Sequence, residues 1–209
     1  MRVAYVFFNG EFLGSKEYYL NILEKDRGDI YCADGGANLL EELKLFPKEI
    51  WGDFDSVSEE ILDKYRENRV VIKKFPKDKD YTDGELILQY IAEKKYEKII
   101  IIGGLGGRKD HELTNLNLMF KFKNLSFLTE KEEIFAIEKY KEFVGAKGKI
   151  ISFIPFSEKV EGLTLEGFKY PLKEYTLYQG DSICMSNIAI EDRCVVSFSK
   201  GKLMGVVIK

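Results

Sequence analysis

Short apolar runs alternate with helical patterns through the first 130 residues of the chain. Runs rich in β-branched and aromatic side chains predict buried strands, and apolar residues spaced three and four apart predict helices between them. The predicted strands cover 3–8, 30–33, 49–51, 70–72, 98–102 and 125–128, and the helical patterns cover 16–25, 39–43, 61–65, 86–91 and 113–120. This alternation is typical of an α/β domain, doubly wound around a mostly parallel sheet.

The pattern changes after Glu130, where short strand-like runs follow one another without a convincing helix. Glycine-containing turn signals separate these runs, which indicates an all-β sandwich or barrel. The runs cover 149–154, 160–165, 175–178, 182–185, 194–198 and 203–208. We therefore expect two domains, an α/β domain at 1–130 and an all-β domain at 131–209.

Composition describes an ordinary globular protein of 209 residues, 45% hydrophobic and 32% charged. The net charge of −3 gives no sign of a nucleic-acid or membrane partner. No apolar run approaches the roughly 18 residues that would span a bilayer, and no signal peptide is recognisable. The three cysteines have no metal-ligand spacing, and their odd number argues against a disulfide framework. We expect a cytoplasmic protein.

Two carboxylates, Asp53 and Asp55, stand two residues apart after a predicted strand, with a glycine before them and a serine after. If the backbone is extended there, both side chains lie on one face. Crowded acids repel each other unless a cation lies between them, and hard oxygen ligands suit Mg²⁺. The alternative is an Asx-type turn that caps the helix beginning near Ser58.

A glycine pair in Asp34-Gly35-Gly36 follows another strand and opens a helix. Paired glycines allow a close backbone approach, and a helix N-terminus offers free N–H groups to a phosphate. The alternative is an ordinary tight turn between strand and helix.

A third strand end carries Lys79, Asp80 and Asp83. Thr82 and Glu85 fit a capping box, and Asp83 favours the positive end of a helix dipole. Capping does not explain Asp80 or the lysine, so we predict a role in metal or phosphate binding.

A glycine-rich stretch, 103–107, follows the apolar strand 98–102 and leads to Arg108. Flexible N–H donors next to a guanidinium indicate a phosphate cradle, although the spacing fits neither a Walker A loop nor a dinucleotide fingerprint. Asp110 either caps the next helix or orients Arg108. His111, the only histidine, is more typical of a hydrogen-bonding or packing residue than of a catalyst.

These motifs all follow strands, and open α/β sheets bind ligands at the carboxyl ends of their strands. Several acids, a glycine-rich loop and an arginine at one edge indicate a Mg²⁺–polyphosphate site. Transfer of a phosphoryl-type group needs mainly positioning and charge neutralisation, which these groups supply.

The ordered motifs closely resemble those of the thiamine pyrophosphokinase (thiamine diphosphokinase) family. In the α/β half they are ADGGAN at 33–38, GDFDS at 52–56, KDYTD at 79–83 and GGLGGRKDH at 103–111; the β half adds GFKYPL at 167–172 and MSN at 185–187. The resemblance spans nearly the whole chain. It implies that the β,γ-diphosphoryl group of ATP is transferred to the hydroxyl of thiamine, giving thiamine diphosphate and AMP.

The resemblance also implies roles for individual residues of the α/β domain. Asp53, Asp55 and Asp83 match the Mg²⁺-linked carboxylates, and Asp80 is close by as a fourth catalytic acid. Groups expected to bind ATP are Asp34, Asn38, Lys79, Thr82, Gly104, Gly106, Arg108 and Asp110.

For the β domain, the resemblance implies thiamine binding in a homodimer, with the active site between the α/β domain of one subunit and the β domain of the other. Tyr170, Ser186 and Asn187 fall where thiamine is recognised. The family often has tryptophan at the position of Tyr170, and a tyrosine can still stack on a cationic ring. The alternative for Tyr170 is packing in the β core.

Two alternatives to thiamine diphosphokinase stay open. The first is a diphosphokinase that acts on another hydroxymethyl heterocycle, such as a pterin, because the ATP-side motifs do not identify the acceptor. A non-catalytic nucleotide-binding module is the other, and the retention of clustered acidic residues argues against it.

Overall fold

A computed structural model describes residues 1–78 and 80–209, and the chain divides into two compact units, Met1–Glu130 and Lys131–Lys209. The first unit alternates strands and helices in the order β1 Val3–Phe7, α1 Lys16–Lys25, β2 Asp29–Ala33, α2 Gly36–Leu43, β3 Glu49–Gly52, α3 Glu59–Glu67, β4 Val71–Lys74, α4 Asp83–Ala92, β5 Lys98–Ile102, α5 Lys109–Leu118 and β6 Leu125–Leu128. The predicted α/β character of this half is confirmed.

The strands of the first unit pair in parallel in the order β6-β5-β1-β2-β3-β4. The chain runs from β1 outward to β4 and then returns to the other side of β1 with β5 and β6. The winding direction therefore reverses between β1 and β5. Open α/β sheets bind ligands in the crevice that such a reversal creates at the carboxyl ends of the strands.

Apolar side chains of the strands and of the facing helix stripes form the core of this unit. Tyr5 and Phe7 of β1 and Leu40 of α2 are completely buried. Gly36, the first residue of α2, lies against β1, and a Cβ atom there would sit 2.3 Å from the carbonyl oxygen of Phe7. Close packing of the helix on the strand thus explains the second glycine of the ADGGAN motif, which matches the alternative of a tight turn between strand and helix.

The second unit consists of antiparallel strands in two sheets. Its strands are β7 Glu132–Ile137, β8 Tyr140–Val144, β9 Ile150–Pro155, β10 Lys159–Glu166, β11 Leu172–Tyr178, β12 Asn187–Ile188, β13 Arg193–Ser197 and β14 Leu203–Ile208. One sheet has the order β12-β9-β14-β7 and the other β11-β10-β13-β8. Phe153 and Phe168 meet edge to face in its buried cluster, with ring centroids 5.4 Å apart. The predicted all-β second half is confirmed as a β-sandwich.

One strand prediction in this unit is wrong. Residues 182–185 form a turn, in which the Met185 N–H donates to the Ser182 carbonyl at 3.1 Å. Only Cys184 of this segment is buried, whereas Ile183 and Met185 are about half exposed. The apolar residues of this segment therefore belong to a surface turn.

Two further strands, β7 in one sheet and β8 in the other, were not predicted. Charged residues interrupt the apolar pattern of each.

No helix in the part of the chain that the structure describes combines the length and the apolar character needed to cross a membrane.

The burial of the three cysteines predicts that their thiols react slowly in the native protein. Cys32, Cys184 and Cys194 are free and buried, and burial raises the pKa of each thiol, that of Cys184 to about 11. Because the thiolate is the reactive form, we expect a thiol reagent at pH 8 to modify none of them rapidly in the native protein and all three after unfolding. Rapid modification in the native state would contradict this burial.

Candidate active site

A pocket of about 640 Å³ lies in the first unit, at the reversal between β1 and β5. Its walls come from the segments that follow β1, β2, β3, β4 and β5, which is where the sequence motifs fall. The lining residues are Phe8, Asn9, Gly10, Ala33, Asp34, Asp53, Asp55, Lys77, Asp80, Tyr81, Thr82, Asp83, Gly84, Gly104, Gly106, Arg108, His111 and Asn115.

Three carboxylates converge in this pocket. One carboxylate oxygen from each of Asp34, Asp53 and Asp55 lies within 4.8 Å of the others. The backbone there is a turn rather than an extended strand, because Phe54 has a left-handed φ of 63° and the Asp55 N–H donates to Asp53 Oδ1 at 3.1 Å. The predicted convergence of Asp53 and Asp55 therefore arises from a tight turn, and Asp34 joins them.

Asp34 holds this turn in place. Its Oδ1 accepts the Phe54 N–H at 3.1 Å, and its Oδ2 accepts the Ser56 hydroxyl at 2.5 Å. Asn9 donates to Ser56 Oγ at 3.3 Å, and Asn38 donates to the Ser56 carbonyl at 3.0 Å. Asn38 is not among the residues that line the pocket, so the structure gives it a role in fixing the turn. Ser56 and Asn9 are functional candidates that the residue-level prediction missed.

Lys77 brings a positive charge to the acidic group. Its ammonium lies 2.6 Å from Asp55 Oδ2, and both side chains are at least half exposed. The hydrogen bond from Lys77 lowers the pKa of Asp55. An exposed pair of this kind contributes little stability, which leaves both groups available to a ligand. The predicted Lys79 lies outside the described residues.

The donor set fits a hard divalent cation. Mg²⁺ binds oxygen ligands at about 2.0–2.1 Å, so two ligands of one ion lie at most about 4.2 Å apart. This distance is close to the 4.8 Å limit within which the three carboxylates lie. Mg²⁺ also commonly uses one or two carboxylates together with substrate phosphates. Asp53 and Asp55 are therefore suitable ligands, whereas both oxygens of Asp34 already accept hydrogen bonds.

The acids of the KDYTD motif occupy another wall of the pocket. Asp80, Thr82 and Asp83 all line it. Thr82 is the N-cap of α4 and accepts the Glu85 N–H at 3.2 Å, which is one half of the predicted capping box, and the Glu85 carboxylate pairs with Lys121. The metal-binding role of Asp83 stays a prediction.

The glycine-rich segment Gly103–Gly107, called the Gly loop below, forms the opposite wall. Gly104 and Gly106 line the pocket together with Arg108. The Arg108 guanidinium donates to both oxygens of Asp110, at 3.2 and 2.6 Å, and this lowers the pKa of Asp110 to about 2. Asp110 is not the N-cap of α5, which is Arg108, so the arrangement matches the alternative in which Asp110 orients Arg108. His111 also lines the pocket.

In the β unit, the predicted thiamine residues have different environments. Tyr170 is 54% exposed, whereas Asn187 is buried and its amide accepts the Tyr170 N–H at 3.0 Å and donates to the Tyr170 carbonyl at 2.8 Å. Ser186 is exposed, with a left-handed φ of 53°. Asn187 thus fixes the backbone of Tyr170, so the structure favours a positioning role for it over direct ligand contact. Exposure of Tyr170 argues against the core-packing alternative.

An α/β unit with an acidic pocket at its winding reversal, next to an arginine and a lysine, has the groups that phosphoryl-type transferases use. Comparison with known proteins agrees with this class. The family model "Thiamin pyrophosphokinase, catalytic domain" matches residues 21–129, and "Thiamin pyrophosphokinase, vitamin B1 binding domain" matches residues 132–203. The chain belongs to the thiamin pyrophosphokinase family, a family of transferases, as the resemblance of its motifs predicted.

Individual relatives agree in sequence and in fold. Thiamine pyrophosphokinase of Bacillus subtilis is 36% identical over 177 residues, which cover 82% of this chain and 83% of that protein. Thiamin pyrophosphokinase 1 of Caenorhabditis elegans is 28% identical over 87% of this chain and 79% of its own. The crystal structure of the Bacillus subtilis enzyme superposes with a TM-score of 0.87 at 29% identity, covering 100% of this chain and 99% of that one. The structure from Geobacillus thermodenitrificans gives 0.86 at 28%, with coverages of 100% and 98%.

Proposed function

We propose that this protein transfers the β,γ-diphosphoryl group of ATP to the hydroxyl oxygen of thiamine, forming thiamine diphosphate and AMP. The observation that carries the proposal is the convergence of Asp34, Asp53 and Asp55 in a pocket that also contains Lys77 and Arg108. Family membership names the acceptor, since the relatives are thiamine pyrophosphokinases.

In this reaction the thiamine oxygen forms a bond to the β-phosphorus, and the bond from that phosphorus to the oxygen bridging the α- and β-phosphates breaks. AMP leaves with the bridging oxygen, and the hydroxyl proton passes to a base. Asp53 and Asp55 would hold Mg²⁺, with Asp80 and Asp83 as further acids of the same pocket. When bound, Mg²⁺ neutralises charge on the phosphate oxygens.

The remaining groups would bind the triphosphate. Arg108 offers a planar pair of N–H donors suited to phosphate, and Lys77 offers a mobile ammonium. Thr82 can donate its hydroxyl proton, because its oxygen is the atom that accepts the Glu85 N–H. Lys79, Gly104 and Gly106 complete the proposed ATP set.

We further propose a cytoplasmic homodimer with the thiamine site shared between subunits. Thiamine would stack on Tyr170 and contact Ser186. Ile183, Met185 and Ile190, in the same part of the sequence as Ser186, are each about half exposed. Burial of such apolar side chains at a subunit interface would stabilise a dimer.

One assay tests the reaction, the acceptor and the metal together. Purified protein is mixed with ATP, Mg²⁺ and thiamine, and AMP and thiamine diphosphate are measured by chromatography. We expect both products in equal amounts, and neither when EDTA is present or thiamine is omitted. ADP in place of AMP would refute diphosphoryl transfer. AMP release with a pterin alcohol but not with thiamine would move the function to that acceptor, and ATP binding without turnover would favour a non-catalytic module.

A further inference from the structure

Two backbone N–H groups of the Gly loop are already bound by carboxylates of the protein. The Gly106 N–H donates to Glu112 Oε2 at 2.8 Å, and the Gly107 N–H donates to Glu11 Oε1 at 3.0 Å. The two acids come from different parts of the chain, one from the first turn of α5 and one from the segment after β1. We call this pair the carboxylate clamp.

Backbone hydrogen bonds attach Glu11 and its neighbour to the Gly loop. Its N–H donates to the Leu105 carbonyl at 3.0 Å, and the neighbouring Gly10 N–H donates to the Gly103 carbonyl at 2.6 Å. A Cβ atom at Gly10 would lie 2.3 Å from that Gly103 oxygen, so the contact requires glycine. The segment after β1 therefore follows the Gly loop closely, and the Glu11 carboxylate reaches the end of the loop.

Glu112 is fixed from the helix side. Its second oxygen pairs with the Lys109 ammonium at 2.7 Å, and its side chain is only 19% exposed. The hydrogen bonds from Lys109 and from the Gly106 N–H lower the pKa of Glu112. One turn further along α5, Asn115 donates to the Gly104 carbonyl at 2.8 Å, which attaches the helix to the loop at a second point.

The clamp acts on two consecutive glycines with left-handed backbones. Gly106 and Gly107 both have left-handed φ angles, 76° and 68°, and glycine loses more conformational freedom on ordering than any other residue. Gly106 lines the pocket, and Arg108, the residue that follows Gly107, lines it as well. Bonds to the two N–H groups thus set both the wall of the pocket and the point from which the arginine projects.

We infer that Glu11 and Glu112 are positioning residues that hold the Gly loop, and through it Arg108, in the conformation that binds the ATP phosphates. The inference rests on the proposed ATP site and changes the role expected for the loop. Because the Gly106 and Gly107 N–H groups hold the loop, Gly106 belongs to the ATP site as part of the pocket wall and not as an N–H donor, and the contacts to phosphate come from Arg108.

Four variants and one control test the clamp by isothermal titration of the full-length protein with ATP and Mg²⁺, without thiamine. In Glu112→Ala the Gly106 N–H loses a charged acceptor, so we expect the ATP Kd to rise about tenfold. Glu112→Gln keeps an oxygen acceptor for the Gly106 N–H and should stay within about threefold of wild type. Glu11→Ala and Glu11→Gln should show the same order with a smaller spread. Glu17→Ala, which removes an exposed acid from the first turn of α1, is the control for a helix-terminal charge.

Kinetics separate positioning from a purely structural role. In Glu112→Ala we expect the KM for ATP to rise while the KM for thiamine stays at the wild-type value, and a thermal melt checks that the variant is folded at the assay temperature. Wild-type ATP affinity in both alanine variants would overturn the inference. Tighter ATP binding in them would also overturn it, because the carboxylates would then compete with the phosphates for the N–H groups. Since the titration contains no thiamine, failure of the proposed transfer reaction would appear only in the product assay.

Discussion

Replacing Asp53 by asparagine is expected to remove nearly all Mg²⁺-dependent formation of thiamine diphosphate while leaving the fold intact. The Asp55 N–H donates to Asp53 Oδ1, and an asparagine retains that oxygen as an acceptor, so the turn keeps its hydrogen bond. The negative charge is lost, and with it a ligand of the proposed cation. Metal ions stabilise transition-state charge by several kcal/mol, so a loss of about 4 kcal/mol would lower kcat on the order of a thousandfold.

The matched control for this variant is Asp63→Asn. Asp63 is an exposed acid of α3 that pairs with Arg66, outside the pocket. It should retain wild-type turnover, and circular dichroism should show the same fold for both variants. Wild-type rates in Asp53→Asn would refute the metal assignment. A thermal transition lowered by many degrees would instead show that Asp53 is structural.

The order of elements could be predicted from sequence because the central strands of the first unit, β1 and β5, are almost entirely apolar. β5, Lys98–Ile102, has four consecutive isoleucines and is buried along most of its length. In the β unit, β7 begins with two glutamates, and β8 contains a lysine and a glutamate. Their apolar runs are too short to register as strands, and pairing with β14 and β13 supplies the missing stabilisation.

The candidate site was predictable as a set of residue types at strand ends, but not as a network. Nothing in the local sequence shows that Phe54 adopts a left-handed conformation or that Asp34 bonds to its N–H, since these two residues are 20 positions apart. The two acids of the carboxylate clamp could not be predicted for the same reason. Charged residues are common on surfaces, and only the tertiary fold shows which of them meet a functional loop.

Replacing Asp34 by alanine is expected to lower the stability of the protein as well as its activity. In Asp34→Ala the Phe54 N–H and the Ser56 hydroxyl both lose their acceptor. Asp34 itself has a left-handed φ of 43°, a conformation that aspartate and asparagine adopt more readily than alanine. Two hydrogen bonds to a charged group are each worth about 1.5–3 kcal/mol, and because Ser56 is exposed we expect the lower end of their sum, a fall of about 3 kcal/mol in the free energy of unfolding.

Asp34→Asn separates the two roles of this residue. Its amide oxygen can still accept the Phe54 N–H, its amide nitrogen can donate to Ser56 Oγ, and asparagine tolerates the left-handed backbone, so the loss of stability should stay below about 1 kcal/mol. Removal of the charge from the acidic group should still reduce turnover. Urea unfolding measures the first effect and the product assay the second.

The control for the stability effect is Asp181→Ala in the β unit. Asp181 also accepts a backbone N–H, from Tyr178 at 2.9 Å, but at an exposed turn and outside the pocket. Its loss should cost about 1 kcal/mol. If Asp34→Ala were no less stable than Asp181→Ala, Asp34 would not be holding the Asp53–Asp55 turn. The turn would then be held by the hydrogen bond from Asn38 to the Ser56 carbonyl, by the bond from the Asp55 N–H to Asp53, and by the buried ring of Phe54.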